Sequence, residues 1–292
     1  MRPISMIAAL GLSACSLLAV APASAADALQ RISERGQVNI GFADDSPPYS
    51  FKDDKGHAAG YSIDLCGLVV ERLRQELGKP NLRVKMLHVA TDQMARLVGN
   101  GGVDLMCAGV SDTPERRATM SFSTPIFLSD VKLMVRTKDG FKTAADLKGK
   151  SVAVLGRTTT EAAVRAYSAR AGVPLQVSRV VNADAALSQL RLAHAAAWAR
   201  DETLLLGVMG RHNDKQDFML LPDKLATEPI AIALQRDAGL QRVVDQALAL
   251  AVRSGKVEAL YDQWFVKPNR ANPNGLKLAL SPALKAEFDR LR

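Results

Sequence analysis

Apolar and polar positions alternate in short blocks along most of the chain. Val38, Ile40 and Phe42 recur with a period of two and predict a strand, preceded by a short helix over 29–35. Ser46-Pro47-Pro48-Tyr49 breaks that strand, and Asp53-Asp54-Lys55-Gly56 is turn chemistry. Ile63, Cys66, Val70, Leu73 and Leu77 then fall at helical spacing, closed by Gly78-Lys79-Pro80. Leu82, Val84 and Met86 alternate again. Thr91 is placed to cap a helix running through Val98 and stopped at Gly99-Asn100-Gly101-Gly102. Residues 103–108 are an apolar run with the length of a buried strand. The order strand–helix–strand–helix–strand predicts a parallel sheet with helices on its faces.

The pattern then repeats. Strands are predicted over 151–155, 175–180 and 195–199, with helices over 161–171, 183–192 and from about Asp201. Two α/β units imply two lobes with a cleft between them. Extended stretches at 131–136 and 229–234 read as lobe connectors, so the chain leaves the first lobe, builds the second and returns through a two-strand hinge. The expected division is 26–131 plus 230–269 for the first lobe, including helices over 240–253 and 257–265, and 132–229 for the second. Residues 270–292 form a C-terminal tail.

Composition agrees with a globular chain: 292 residues, 48% hydrophobic and 23% charged. Aromatics at 5% disfavour a nucleic-acid reader built on stacked rings. The net charge of +8 comes from scattered Lys and Arg, the signature of a basic solvated surface. Residues 1–25 carry Arg2, an apolar run and Ala23-Ser24-Ala25, an A-x-A cleavage signal, and are read as a signal peptide. That run is short for a membrane span, so the expected product is a soluble periplasmic protein. Leu12-Ser13-Ala14-Cys15 also matches a bacterial lipoprotein pattern, although the residues after Cys15 stay apolar where a tether is normally polar. With Cys15 removed, Cys66 and Cys107 remain in an oxidising compartment, either as a disulfide or as two buried thiols.

Catalytic signatures are missing: there is no G-x-S-x-G elbow and no H-E-x-x-H, and His57, His88, His194 and His212 are isolated. No catalytic residue, metal ligand or cofactor is assigned. Polar groups do gather at predicted C-terminal strand ends, where open α/β sheets bind ligands. After the 103–108 strand, Gly109 allows close backbone approach, Ser111 offers a hydroxyl and an N–H, and Arg116 a fork that fits a carboxylate. Arg116 could instead form a surface ion pair with Glu115 or a nearby Asp. In the second unit Thr158 and Thr159 open a helix whose free N–H groups can seat an anion, while Thr158 and Glu161 also read as a capping box. Asp201 can meet an ammonium or cap the next helix. Together these groups would receive a zwitterion, and an α-amino acid fits.

Several segments closely resemble the bacterial family 3 extracellular solute-binding proteins. Gly60-Tyr61-Ser62-Ile63-Asp64-Leu65 is similar to the family's G-[FY]-x-x-D-L, and Ser111 through Phe122-Ser123 to its T-x-x-x-x-R…F-S stretch. Asp146-Leu147-Lys148-Gly149-Lys150 with Thr158–Glu161, and Glu258 through Phe265, resemble two further family segments. The resemblance implies a type II periplasmic-binding-protein fold, α/β in class, with two sheets joined by a two-strand hinge. It implies a monomeric receptor that delivers an amino acid to the membrane permease of an ABC importer, with no nucleic acid involved. It also implies roles: Arg116 for the α-carboxylate, assisted by Ser111 and the Thr159 backbone; Asp201 and the Gly109 carbonyl for the amine; Tyr61 along the ligand side chain. The segment through Cys66, Cys107 and the tail most resembles the glutamate/aspartate-binding branch. That branch carries an Arg where Ala43 stands, another near Met94 and a His near Ala183, so an acidic side chain lacks its usual counter-charges; Arg157 is a candidate substitute. The same fold also serves periplasmic dehydratases related to cyclohexadienyl dehydratase and accessory partners of other periplasmic proteins.

Overall fold

The computed structural model describes residues 27–211 and 215–292. The expected signal peptide, Cys15 and His212 lie outside the described residues. The chain opens with α1 (Ala28–Arg35), which Asp27 caps by accepting from the Gln30 N–H and which ends at left-handed Gly36. It continues through β1 (Gln37–Phe42) into three short strands, β2 (Asp45–Ser46), β3 (Ser50–Lys52) and β4 (Ala58–Ala59), which pair as a small antiparallel sheet. Next come α2 (Tyr61–Glu76), β5 (Arg83–His88), α3 (Met94–Gly99), β6 (Leu105–Ser111), α4 (Pro114–Arg117), β7 (Ser121–Phe122) and the long β8 (Phe127–Arg136). Thr91 does not cap α3; the helix begins later, with Gln93 at its N-cap and no side-chain cap.

The second unit holds β9 (Ser151–Leu155), α5 (Thr159–Ala171), β10 (Gln176–Val180), α6 (Ala183–Arg191), β11 (Ala197–Asp201), α7 (Glu202–Arg211) and β12 (Phe218–Leu220). The chain returns along β13 (Ala226–Leu234) into α8 (Ala238–Arg253), α9 (Lys256–Tyr261), a π-helical turn at Asp262–Val266 and a terminal α10 (Pro282–Asp289).

The main strands follow the order β10-β9-β11-β8-β13-β6-β1-β5. β1 pairs in parallel with β5 and β6, and β9 in parallel with β10 and β11, as two α/β units require. Between them β8 and β13 run antiparallel, from Ala226 opposite Val131 to Ile230 opposite Phe127. These two strands contain the predicted connectors, extended at their N-terminal ends, and they join the two sheets into one hydrogen-bonded path.

Both faces of each unit are covered, and the period-two rule sorts the side chains between them. Leu105 and Cys107 face the core with Ile230, Ile232 and α2, whereas Met106, Ala108 and Val110 face the cluster with Ala231 and Ala233. In the second unit Val152, Val154, Ala197 and Ala199 pack on one face, and Ala153 and Trp198 on the other with α6. Cys66 of α2 and Cys107 of β6 are bonded, with Cα atoms 6.3 Å apart and both residues fully buried. The disulfide ties the helix to the central strand that ends at the cleft.

Candidate ligand-binding site

β6 carries its polar end into the cleft. Thr113 caps α4 by accepting from the Arg116 N–H at 3.3 Å, with Pro114 in the first turn. This turn folds Arg116 back over its own strand, where Nη1 donates to the Ser111 carbonyl at 2.8 Å. The neighbouring Arg117 takes the local carboxylate instead, donating from Nε to Asp112 Oδ1 at 2.6 Å. The ion-pair alternative therefore falls to Arg117, and Arg116 lines the cavity.

From the other lobe, Thr158 caps α5. Its Oγ1 donates to the Leu155 carbonyl at 2.7 Å and accepts from the Glu161 N–H at 3.3 Å. The reciprocal half of the expected capping box is displaced by one residue, because the Glu161 carboxylate accepts from the Arg157 N–H at 3.1 Å. Thr159, the first residue of α5, brings its Oγ1 to 3.3 Å from Ser111 Oγ. Groups from the two lobes are thus within hydrogen-bond distance across the cleft.

Gly109, Ser111, Arg116, Thr158, Thr159 and Asp201 line one cavity of about 90 Å³, whose apolar wall includes Met94, Met106 and Leu204. That size suits one small solute, far below the ~300–1,000 Å³ of sites for drug-sized ligands. A Cβ on Gly109 would sit 2.9 Å from the Tyr49 ring, so the close approach requires glycine. Asp201 ends β11, and its Oδ1 is buried without a hydrogen-bond partner. Burial raises its pKa above the ordinary carboxylate value, opposed by the Ser129 hydroxyl and by Arg200 and Arg116. Burial also lowers the Arg116 pKa, opposed by Glu228 and Asp201.

Tyr61 is not part of this group. It is fully buried in the first-lobe core, donates from its hydroxyl to the Ile126 carbonyl at 3.0 Å and packs edge-on against Phe265. The first-turn aromatic of α2 serves packing here, which corrects its expected ligand contact. Arg157 also stands apart: it is exposed, with φ of 63°, and lines an outer groove with His88 and Arg179.

Two charged residues were missed. Arg200, at 8% exposure, lines the cavity one residue before Asp201. Glu228, also 8% exposed, lies on β13; burial raises its pKa, and the nearby Ser111 and Thr159 hydroxyls pull it down. The available signal was a charge inside an otherwise wholly buried strand, as in Ala197-Trp198-Ala199-Arg200.

Two α/β lobes joined by paired strands, with a polar cavity lined from both sides, define a two-lobed binding protein of the periplasmic-binding fold. The chain belongs to the bacterial extracellular solute-binding proteins, family 3, which it matches over residues 38–267. It is 31% identical over 252 residues to an L-glutamate/L-aspartate-binding protein of Pseudomonas aeruginosa, covering 86% of this chain and 83% of that protein. It is 27% identical over 290 residues to the glutamate/aspartate import solute-binding protein of Escherichia coli, covering 98% and 96%. Among solved structures, an ancestral arginine-binding protein bound to glutamine superposes with a TM-score of 0.68 at 26% identity, covering 80% of this chain and 99% of that one. An ancestral amino-acid-binding precursor of cyclohexadienyl dehydratase shares the fold, with a TM-score of 0.69 at 24% identity, covering 82% and 99%.

Proposed function

We propose that this chain is a periplasmic receptor that closes its lobes on one α-amino acid and delivers it to the membrane permease of an ABC importer. The assigned lobes are 26–131 plus 230–269 and 132–229. The observation that carries this reading is the shared cavity of Arg116 and Asp201, a half-buried cation from one lobe and a carboxylate with an unpartnered oxygen from the other. An α-carboxylate seats on Arg116, with Ser111 and the amide end of α5 at Thr158 and Thr159 as further donors. The ammonium meets Asp201, whose ionised form it stabilises, and the Gly109 carbonyl. A ligand held by both lobes favours the closed state, because those contacts exist together only there.

The test is a thermal-shift screen of the mature protein with the common amino acids. A ligand at about 100 times its dissociation constant stabilises a protein that binds it only when folded by about 2.7 kcal/mol. Stabilisation by a subset of α-amino acids supports the reading. A flat screen, or turnover of prephenate or arogenate by the purified protein, overturns it.

A further inference from the structure

The α-amino acid reading leaves one cation in the cavity without a task. Arg200 is more than nine-tenths buried and lines the same cavity as Arg116 and Asp201. Among the described residues its guanidinium has no hydrogen bond and no ion pair with a protein group. Asp45, across the cleft, and the adjoining Asp201 attract it without reaching ion-pair distance, and Asp45 is exposed to solvent.

The strand register sharpens the point. Arg200 on β11 lies directly opposite Lys132 on β8, which is also buried. Like charges opposed across an antiparallel pair repel. Lys132 settles its ammonium on the Pro222 carbonyl at 2.9 Å, leaving Arg200 as the cation turned to the cavity. A buried guanidinium beside a second buried cation is costly to keep unless an anion meets it. Asp201 supplies only one carboxylate, and a bound ammonium would claim it.

We infer that Arg200 is the seat for a second carboxylate on the ligand, so that the solute is a dicarboxylic amino acid and Arg200 sets the preference for acid over amide. The inference rests on the receptor reading above. The planar fork of Arg suits this task, since it can hold a side-chain carboxylate through two parallel N–H donors.

The experiment is calorimetric titration of the mature protein, wild type, Arg200→Met and Arg200→Lys, with L-glutamate, L-aspartate, L-glutamine and L-asparagine. Wild type is expected to bind at least one acid more than about tenfold tighter than its amide, since loss of the ligand charge strands Arg200. Arg200→Met should weaken that acid by about tenfold or more while its amide changes by less than about threefold, and Arg200→Lys should keep part of the preference. Equal binding of acid and amide by wild type overturns the inference while leaving the receptor reading intact. So does unchanged acid binding by Arg200→Met. If that variant fails to fold, the wild-type acid-to-amide ratio and Arg200→Lys decide. Binding of no amino acid by wild type overturns both.

Discussion

Ser111 Oγ of the first lobe and Thr159 Oγ1 of the second stand 3.3 Å apart. Residues separated by 48 positions in sequence meet where a ligand carboxylate would lie. Arg116 reaches the same spot through the Ser111 carbonyl. Arg116→Ala is expected to weaken ligand binding by about 2–5 kcal/mol, because a desolvated carboxylate loses its charged donor. That corresponds to roughly 30-fold to several-thousand-fold in affinity. Asp201→Asn should weaken binding through the amine, and exposed Lys148→Ala should change little. Calorimetry with the ligand found by screening checks all three, and wild-type affinity in Arg116→Ala refutes the assigned site.

The Cys66–Cys107 bond closes a loop with a sequence separation of 41 residues. Chain-entropy arithmetic for a loop of that length gives about 4 kcal/mol as its stabilising effect. Reduction should therefore lower the melting temperature, and unreduced protein unfolded in denaturant should take up no alkylating agent at either position. Mass spectrometry reads the second outcome; two labelled thiols would exclude the bridge.

Glu161 and Glu228 should respond to acid with opposite sign. Hydrogen bonds from Arg179, together with the Arg157 N–H and Arg165, lower the Glu161 pKa from 4.5 to about 2. Its stabilisation is present above 4.5 and is lost as pH falls toward about 2. Burial raises the pKa of Glu228, so its ionised form costs stability at neutral pH and that cost disappears below its unfolded value of 4.5. Melting curves against pH should show Glu161→Gln destabilised near neutrality and converging with wild type in strong acid. Glu228→Gln should be more stable near neutrality, with the gain vanishing at low pH. A Glu228→Gln protein less stable at neutral pH would show that its carboxylate is held by contacts stronger than its burial cost.

Gly109→Ala places a methyl group 2.9 Å from Tyr49 Cδ2. Tyr49 is locked in the core at 1% exposure, with its hydroxyl accepting from Thr203 at 3.1 Å. The ring has little room to give, so overpacking should cost roughly 1–3 kcal/mol. Chemical denaturation measures it, and a loss near zero would mean that the ring shifts freely.

Much of the architecture was legible because the sheets are buried on both faces, so that several strands stand out as short apolar runs between turn signals. Ser151–Leu155 is a strand as its pattern predicts, and the Thr159–Ala171 helix begins two residues before its apolar spacing starts. The small β2–β4 sheet was not legible, since strands of two or three residues carry no period. Gly109, Ser111, Arg116, Thr158, Thr159 and Asp201 were legible as candidates because they follow apolar strands, and the fold places them along one cavity. Tyr61 misled because an aromatic at a helix start serves a core as readily as a ligand. Arg200 and Glu228 lie within strands, and only the fold shows that one turns to the cavity and the other meets Ser111 and Thr159.

The register of β8 and β13 has a mechanical consequence. Sliding the pair by one residue would carry Ile230 from the core to the opposite face of its strand, undoing the alternation that buries Ile230 and Ala231 on different sides. A one-residue slip between the paired strands is therefore blocked, while a bend can leave their register intact. Of the six coordinates that relate two bodies, the paired strands fix the slide along their own axis and leave the bend to the few contacts across the cleft, such as Ser111–Thr159.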